Sequence, residues 1–291
     1  MSLSRRDFAL YLALTPGIGG RSVTRILARN DLLARTPEEF MRLSSATLQE
    51  EYGLKVRQAD RLAARVREKE SPITELRDRL DKLGVTIVTA TDAHYPVMIE
   101  SMDPDPPGVL FLYGNQRLIG AKTMCVLSSR GTTPAGLDLM ERLAEEAVLA
   151  GEIVVSGHDT PEYQRSALVP LRWGAPRILC LDRGLFEALG DTLQEEPFRA
   201  ARLWRYQFDP HTDLVVSPFR PNGRFVGVNN QIRDRLIGCL AQRMDCVEIS
   251  PAGNMEKVAR LAIRAGRRVR VSDRSIAYRL MEQFGAEIIL T

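Results

Sequence analysis

Cysteine, histidine, tryptophan and lysine are all scarce in this chain of 291 residues, and each shortage excludes something. Its four cysteines (Cys125, Cys180, Cys239 and Cys246) lie far apart in apolar surroundings. They fit neither a disulfide framework nor a metal-ligand spacing, and read as reduced core residues of a cytoplasmic protein. The three histidines, His94, His158 and His211, are isolated, so neither a metal nor another cofactor is expected. No apolar run approaches the roughly 18 to 20 residues that cross a bilayer, so no membrane association is expected. Two arginines before a short apolar stretch at the N-terminus suggest a signal peptide, but Pro16-Gly17-Ile18-Gly19 ends that stretch as a turn too early for one. Lysine stands only at 55, 69, 82, 122 and 257 among 40 basic residues; the rest are arginine. Arginine offers phosphate a planar fork and can stack on bases, although a GC-rich genome yields the same bias.

What is present is an ordinary globular balance, 44% hydrophobic and 26% charged, with a net charge of only +3. The length suits two domains. Residues 1–70 read as a small helical domain, with apolar positions at helical spacing in Phe8, Leu10, Tyr11 and Leu14, then Val23, Ile26 and Leu27. Further helices are expected at about 37–51, 56–69 and, bridging onward, 73–84. From residue 71 to 291 short β-branched runs alternate with amphipathic helices. Strands are expected at 85–89, 109–113, 123–127, 153–156, 177–181, 214–217, 246–249, 269–271 and 288–290. Helices are expected at about 134–150, 160–173, 196–205, 228–242, 254–265 and 274–284. That alternation predicts an α/β, Rossmann-like, mostly parallel sheet with helices on both faces.

In such sheets an anion settles where strand C-termini meet helix N-termini. Four junctions qualify. Ser128-Ser129-Arg130 precedes the helix at 134, where the hydroxyls could equally serve as helix caps. Ser156-Gly157-His158-Asp159 follows a strand, with Thr160-Pro161 as an N-cap and first helical residue. His158-Asp159 lacks a neighbouring nucleophile and reads as polar surface, so no catalytic residue is expected. Arg233 and Arg235 lie about 200° apart around a helix, so only one easily faces a given ligand. Gly253-Asn254 opens the next helix. Arg264, Arg267, Arg268 and Arg270 form a basic cluster that could track a phosphate backbone or simply solubilise a strand edge. Pro16-Gly17-Ile18-Gly19 is similar to a helix–hairpin–helix turn, which also occurs for packing alone.

These pieces together resemble the DNA-processing A (DprA/Smf) family over nearly the whole chain. Leu14-Thr15-Pro16-Gly17-Ile18-Gly19 with Glu51-Tyr52-Gly53-Leu54 is similar to its N-terminal helical, sterile-alpha-motif-like domain. Tyr95-Pro96 and Asp105-Pro106-Pro107-Gly108-Val109-Leu110-Phe111-Leu112-Tyr113-Gly114-Asn115 resemble its lead-in to the Rossmann domain. Ser128-Ser129-Arg130 stands where the family carries Gly-Ser-Arg, Val155-Ser156-Gly157 matches Val-Ser-Gly, and Arg233-Asp234-Arg235 replaces Arg-Asn-Arg. Glu248, eighteen residues before Gly266-Arg267, keeps the family spacing. The departures are Ser156–Gln164, shortened and without the family's Gly-Ile-Asp and histidine, Gly253-Asn254-Met255 in place of Ser-Gly-Ser, and Ser272-Asp273 in place of Pro-Gly. The resemblance is to a divergent member lacking the C-terminal winged-helix domain.

It implies a protein, not an enzyme, that binds single-stranded DNA without sequence preference and assists a RecA-type recombinase in recombination or DNA uptake (natural transformation), as a homodimer. The phosphate contacts would come from Ser128, Ser129, Arg130, Ser156, Gly157, Arg233, Arg235, Gly253 and Asn254, and bases could stack on Tyr163, Trp173 or Tyr206. The alternative is a nucleotide-binding, phosphoribohydrolase-like Rossmann protein with Glu162 or Glu248 as its acid.

Overall fold

The computed structural model describes residues 3–65 and 71–291. The chain divides into two compact units, the first of residues 1–95, 105–112 and 218–220, the second of 96–104, 113–217 and 221–291.

The first unit starts with six helices: α1 (Arg5–Leu14), α2 (Gly20–Leu32), α3 (Pro37–Met41), α4 (Ser45–Tyr52), α5 (Val56–Arg65) and α6 (Ser71–Lys82). Local chemistry sets their ends. Ser4 Oγ accepts the Asp7 N–H, and Thr36 forms a reciprocal capping box with Glu39 just ahead of Pro37. The single helix expected at 37–51 is two, because Ser44 leaves the helical conformation and caps a new start by accepting the Thr47 N–H. The expected end of the fifth helix, 66–69, lies outside the described residues. Phe8, Phe40 and Tyr52 meet edge to face at about 5 Å in a buried aromatic core, and Tyr52 donates to Asn30 Oδ1. After α6 the chain forms an antiparallel pair, β1 (Thr86–Thr89) with β2 (Val109–Gly114), Thr86 facing Leu112 and Thr89 facing Val109. The last two residues of β2 belong to the second unit.

The second unit opens with a short helix, α7 (Val97–Glu100), and then follows the expected alternation: β3 (Thr123–Leu127), α8 (Pro134–Leu149), β4 (Ile153–Ser156), α9 (Pro161–Arg172), β5 (Arg177–Cys180), α10 (Leu185–Leu189), β6 (Leu214–Ser217), α11 (Asn229–Leu240), β7 (Arg243–Cys246), α12 (Asn254–Arg264), β8 (Arg268–Ser272), α13 (Tyr278–Gln283) and β9 (Glu287–Ile289). Its strands run in the order β6-β5-β4-β3-β7-β8-β9, and every pair is parallel. The order reverses direction beside β3, where β4 lies to one side and β7 to the other. Every residue of β3 is buried, as its unbroken apolar run requires of a strand covered on both faces. Met124 and Val126 pack on α8 and α9 through Leu139, Leu143 and Val169. Elsewhere α11 packs on α12, with Gly238 against Val258 and Met244.

Two expectations were displaced. The strand placed at 246–249 pairs instead over Arg243–Cys246. Two charges made that stretch look unlike a strand, but Asp245 is fully buried opposite Arg270, whose guanidinium holds it at 2.6 Å. The helix expected at 196–205 is only a 3-10 turn, Arg199–Leu203.

That turn follows a second charged anchor. Arg177, the first residue of β5, has no exposed surface; its Nε donates to Asp213 at 2.9 Å and its Nη2 to Glu196 at 2.7 and 2.8 Å. Burial pushes the Glu196 carboxyl up, against the pull of Arg177. Removing one member of a buried ion cluster strands the others. Arg177→Met therefore lowers unfolding stability by about 3–5 kcal/mol, measured by urea denaturation.

Candidate nucleic-acid interface

At the carboxyl-terminal edge of the second unit's sheet, one guanidinium gathers several loops. Arg233, on α11, is 1% exposed. Its Nε donates to Asp234 Oδ1 at 2.7 Å, and its Nη atoms reach both oxygens of Asp159, in the loop after β4. The same guanidinium lies 4.4 Å from the centre of the Tyr163 ring, while the Tyr163 hydroxyl donates to Asp234 at 2.6 Å. Asn254, the first residue of α12, donates to the other oxygen of Asp234 at 2.7 Å. Gly157 is forced by this arrangement, because a Cβ there would sit 2.6 Å from Arg233 Nη1.

The loop after β3 is tied just as closely. Ser128 Oγ donates to the Glu248 carbonyl and Ser129 Oγ accepts the Ser250 N–H. The N-terminus of α8 already holds an anion: the Glu248 carboxylate accepts from the Thr133 N–H at 2.8 Å and from the Thr133 hydroxyl at 2.6 Å. Glu162 likewise accepts the Gly131 N–H at 2.9 Å. Both amide groups that an incoming phosphate would meet there are occupied by the chain's own carboxylates.

Between these loops lies a cavity of about 290 Å³. Of the residues expected to meet phosphate, Ser128, Ser129, Arg130, Arg233 and Asn254 line it. Ser156 is buried with no partner for its hydroxyl, and Gly157 and Gly253 shape the backbone beside the cavity without lining it. Arg235 is turned elsewhere on α11, its Nε bound to Asp103 at 3.0 and 3.1 Å. Arg233 is the arginine that faces the cavity, yet its charge is met by two carboxylates. Arg130 is different: exposed, on the cavity wall, and free of any ion pair or side-chain hydrogen bond. Tyr163 is buried under Arg233 and offers no face for stacking.

Sequence reading missed Asp234, Asn230, whose Oδ1 accepts from Arg233 Nη2 at 3.1 Å, and the plugging role of Glu162 and Glu248. The signal available was the replacement of asparagine by Asp234 between two arginines, an added charge that had to be balanced nearby.

Two other motifs serve packing. In the first unit the Pro16 and Gly17 carbonyls accept from Arg61 and Gln58, and Arg220 donates to the Ala13 and Thr15 carbonyls. The helix–hairpin–helix-like turn thus receives its own unit's donors. Half of the basic cluster near the C-terminus is paired, Arg268 with Glu287 and Arg270 with Asp245, while Arg267 donates to the Met98 carbonyl and Arg264 is exposed. Among the described residues no group of three histidines, cysteines or acids could hold a metal ion, and no helix is long and apolar enough to cross a membrane.

Residues 86–160, from β1 to the cap of α9, match the family model of DNA recombination-mediator protein A. Over 99% of this chain and 95% of the other, the structure is similar to that of DNA processing protein A from Streptococcus pneumoniae, with a TM-score of 0.74 at 18% identity. The DNA processing protein A of Helicobacter pylori, whose structure describes a single-stranded DNA binding mode, is similar over 70% of this chain and 90% of its own, with a TM-score of 0.54 at 16% identity. At these identities the structures attest a common fold. No curated protein matches the sequence. The family match ends at Thr160, so Arg130 lies inside it and Arg233 outside.

The edge carries one titratable weak point. His158 is buried with its Nδ1 unpartnered, and burial pushes its pKa down to about 4, against the pull of Asp182 and Asp159. Burial would raise Asp159, but Arg233 outweighs it and leaves that carboxyl below its ordinary value. The unfolded chain protonates His158 near pH 6.5, the folded chain only near pH 4. Its contribution is therefore intact above about pH 6.5 and is lost as pH falls toward 4. Unfolding stability drops by about 3 kcal/mol across that window, and His158→Gln flattens the profile in a pH series of melting curves.

Proposed function

We propose that this chain is a recombination-mediator protein that binds single-stranded DNA without sequence preference, along the carboxyl-terminal edge of the second unit's sheet. The observation that carries the reading is Arg130: an exposed, unpaired guanidinium beside a cavity at the point where strand order reverses. A free guanidinium can pair with a phosphate without first giving up another partner. Ser129 and Asn254 flank the cavity and supply polar groups, while the Arg233 cluster holds the wall rigid. Phe225, 44% exposed, and Val226, 59% exposed, precede the cavity-lining Gly227 and offer apolar surface to a base.

The role is one of binding rather than catalysis. His158 is neutral at physiological pH and walled in. Glu162 and Glu248, the candidate acids of a nucleotide-cleaving relative, are both committed to backbone amides. The size of the cavity, near the lower end for small-ligand sites, favours a second reading, a pocket for a mononucleotide bound without cleavage. Incubation with AMP followed by chromatography then releases no adenine; release of free base would overturn the non-catalytic assignment. The resemblance to that family supports a RecA-type recombinase as partner and a homodimer, and the four buried, free cysteines suit a cytoplasmic location.

Fluorescence anisotropy with labelled oligo-dT tests the binding itself. Log K falls with log salt by about 0.7 per phosphate contact. Arg130→Ala weakens binding about tenfold and reduces that slope by about 0.7, the loss of a single phosphate contact. Binding weaker than about 0.1 mM at low salt, outside even the range of non-specific complexes, or unchanged affinity in Arg130→Ala, overturns the proposal.

A further inference from the structure

The opposite, amino-terminal edge of the same sheet carries a second surface that the cavity does not explain. The segment from Phe198 to Phe208 reads Phe-Arg-Ala-Ala-Arg-Leu-Trp-Arg-Tyr-Gln-Phe, with arginines and aromatic residues interleaved. Its place is fixed by Arg177, the first residue of β5: Arg177 binds Glu196, just before the segment, and Asp213, just after it. Phe208 donates its N–H to the Gln194 carbonyl and closes the base of the loop. Phe198, Ala201 and Phe208 are buried and pin it.

What projects from this pinned loop is unusual. Leu203 is 82% exposed, Tyr206 77% and Trp204 44%. The chain has only two tryptophans, and the other, Trp173, is also half exposed. Trp173 closes α9; since a helix joining parallel strands runs antiparallel to them, its end lies at this same edge. The cations here are available. Arg199 is exposed with no ion-pair or hydrogen-bond partner, and Arg202 has only Glu195 at 3.9 Å, both strongly exposed. Arg117 is exposed two residues after Asn115, whose N–H donates to the Asp213 carbonyl. Several nearby carboxylates are already committed: Glu196 and Asp213 to Arg177 and Arg205, Asp209 to Thr212, and Glu152 to Arg243.

We propose that this edge is a second contact for single-stranded nucleic acid, with Trp204 and Tyr206 stacking on bases and Arg117, Arg199 and Arg202 meeting phosphates. Exposed flat rings among exposed guanidiniums are the combination that holds an unpaired strand without reading its sequence. A purely apolar partner would leave the arginines unmatched, and a double helix would hide the faces of its bases from both rings. The inference extends the single-strand reading of the cavity edge but rests on different residues, so the two can fail separately.

Intrinsic tryptophan fluorescence and anisotropy, measured on the same titration with a dT oligonucleotide at low salt, test it. The oligonucleotide quenches the wild-type protein, the quench persists in Arg130→Ala at higher concentration, and Trp204→Ala with Tyr206→Ala weakens binding about tenfold. Arg199→Glu with Arg202→Glu, on exposed positions that leave the buried anchors intact, weakens it at least as much. Anisotropy that reports binding without any tryptophan quench, or with wild-type affinity in both double variants, overturns this second contact, leaves the cavity edge standing and assigns the face to a protein partner. Quench without sensitivity to Arg130→Ala overturns the cavity reading and supports this one. No binding by either signal overturns both.

Discussion

The candidate site depends on one buried guanidinium. Arg233 is held by Asp159 from one loop and Asp234 from its own helix, with a tyrosine ring beneath it and Asn254 completing the far carboxylate. A charge taken this far out of water is tolerable only because each donor direction is met. That requirement fixes how α9, α11 and α12 begin, and with them the walls of the cavity. The same fork geometry recurs at Arg177, which spans two acids at the other end of the strands. A lysine, with one point charge on a flexible stem, could not bridge either pair. The arginine-rich composition is thus in large part structural.

The two units draw their stability from different sources. The helical unit is built on ring contacts among Phe8, Phe40 and Tyr52 and on hydroxyl caps. The sheet unit is built on β3, buried along its whole length, with ion pairs allowing charged residues such as Asp245 into interior strands. In both, the glycines that matter are those where another group comes too close for a side chain, as at Gly157 beneath Arg233 and Gly20 against Pro107 and Gly108.

Much of the fold was legible in the sequence, because buried parallel strands show as short β-branched runs and Thr133-Pro134 and Thr160-Pro161 mark helix starts by their own chemistry. β7 was misplaced because its two charges, besides pairing with each other, are neutralised by residues distant in sequence, Glu152 and Arg270. The site was legible as a place but not as a set of contacts. Periodicity says that Arg233 and Arg235 diverge; it cannot say that Asp103 takes one and Asp159 the other. Nor does any local pattern say that Arg130, among the arginines expected at the site, would be the one left free, since that follows from what its neighbours do not do.

The carboxylates of Glu162 and Glu248 give the edge an unusual state at rest. They sit where a helix start attracts negative charge, so that the protein carries an internal counterion at the mouth of its cavity. Any anion that reaches those amides meets a seat already taken, so it can settle there only by displacing a carboxylate that the chain itself supplies, and the resting edge is self-neutralised rather than open.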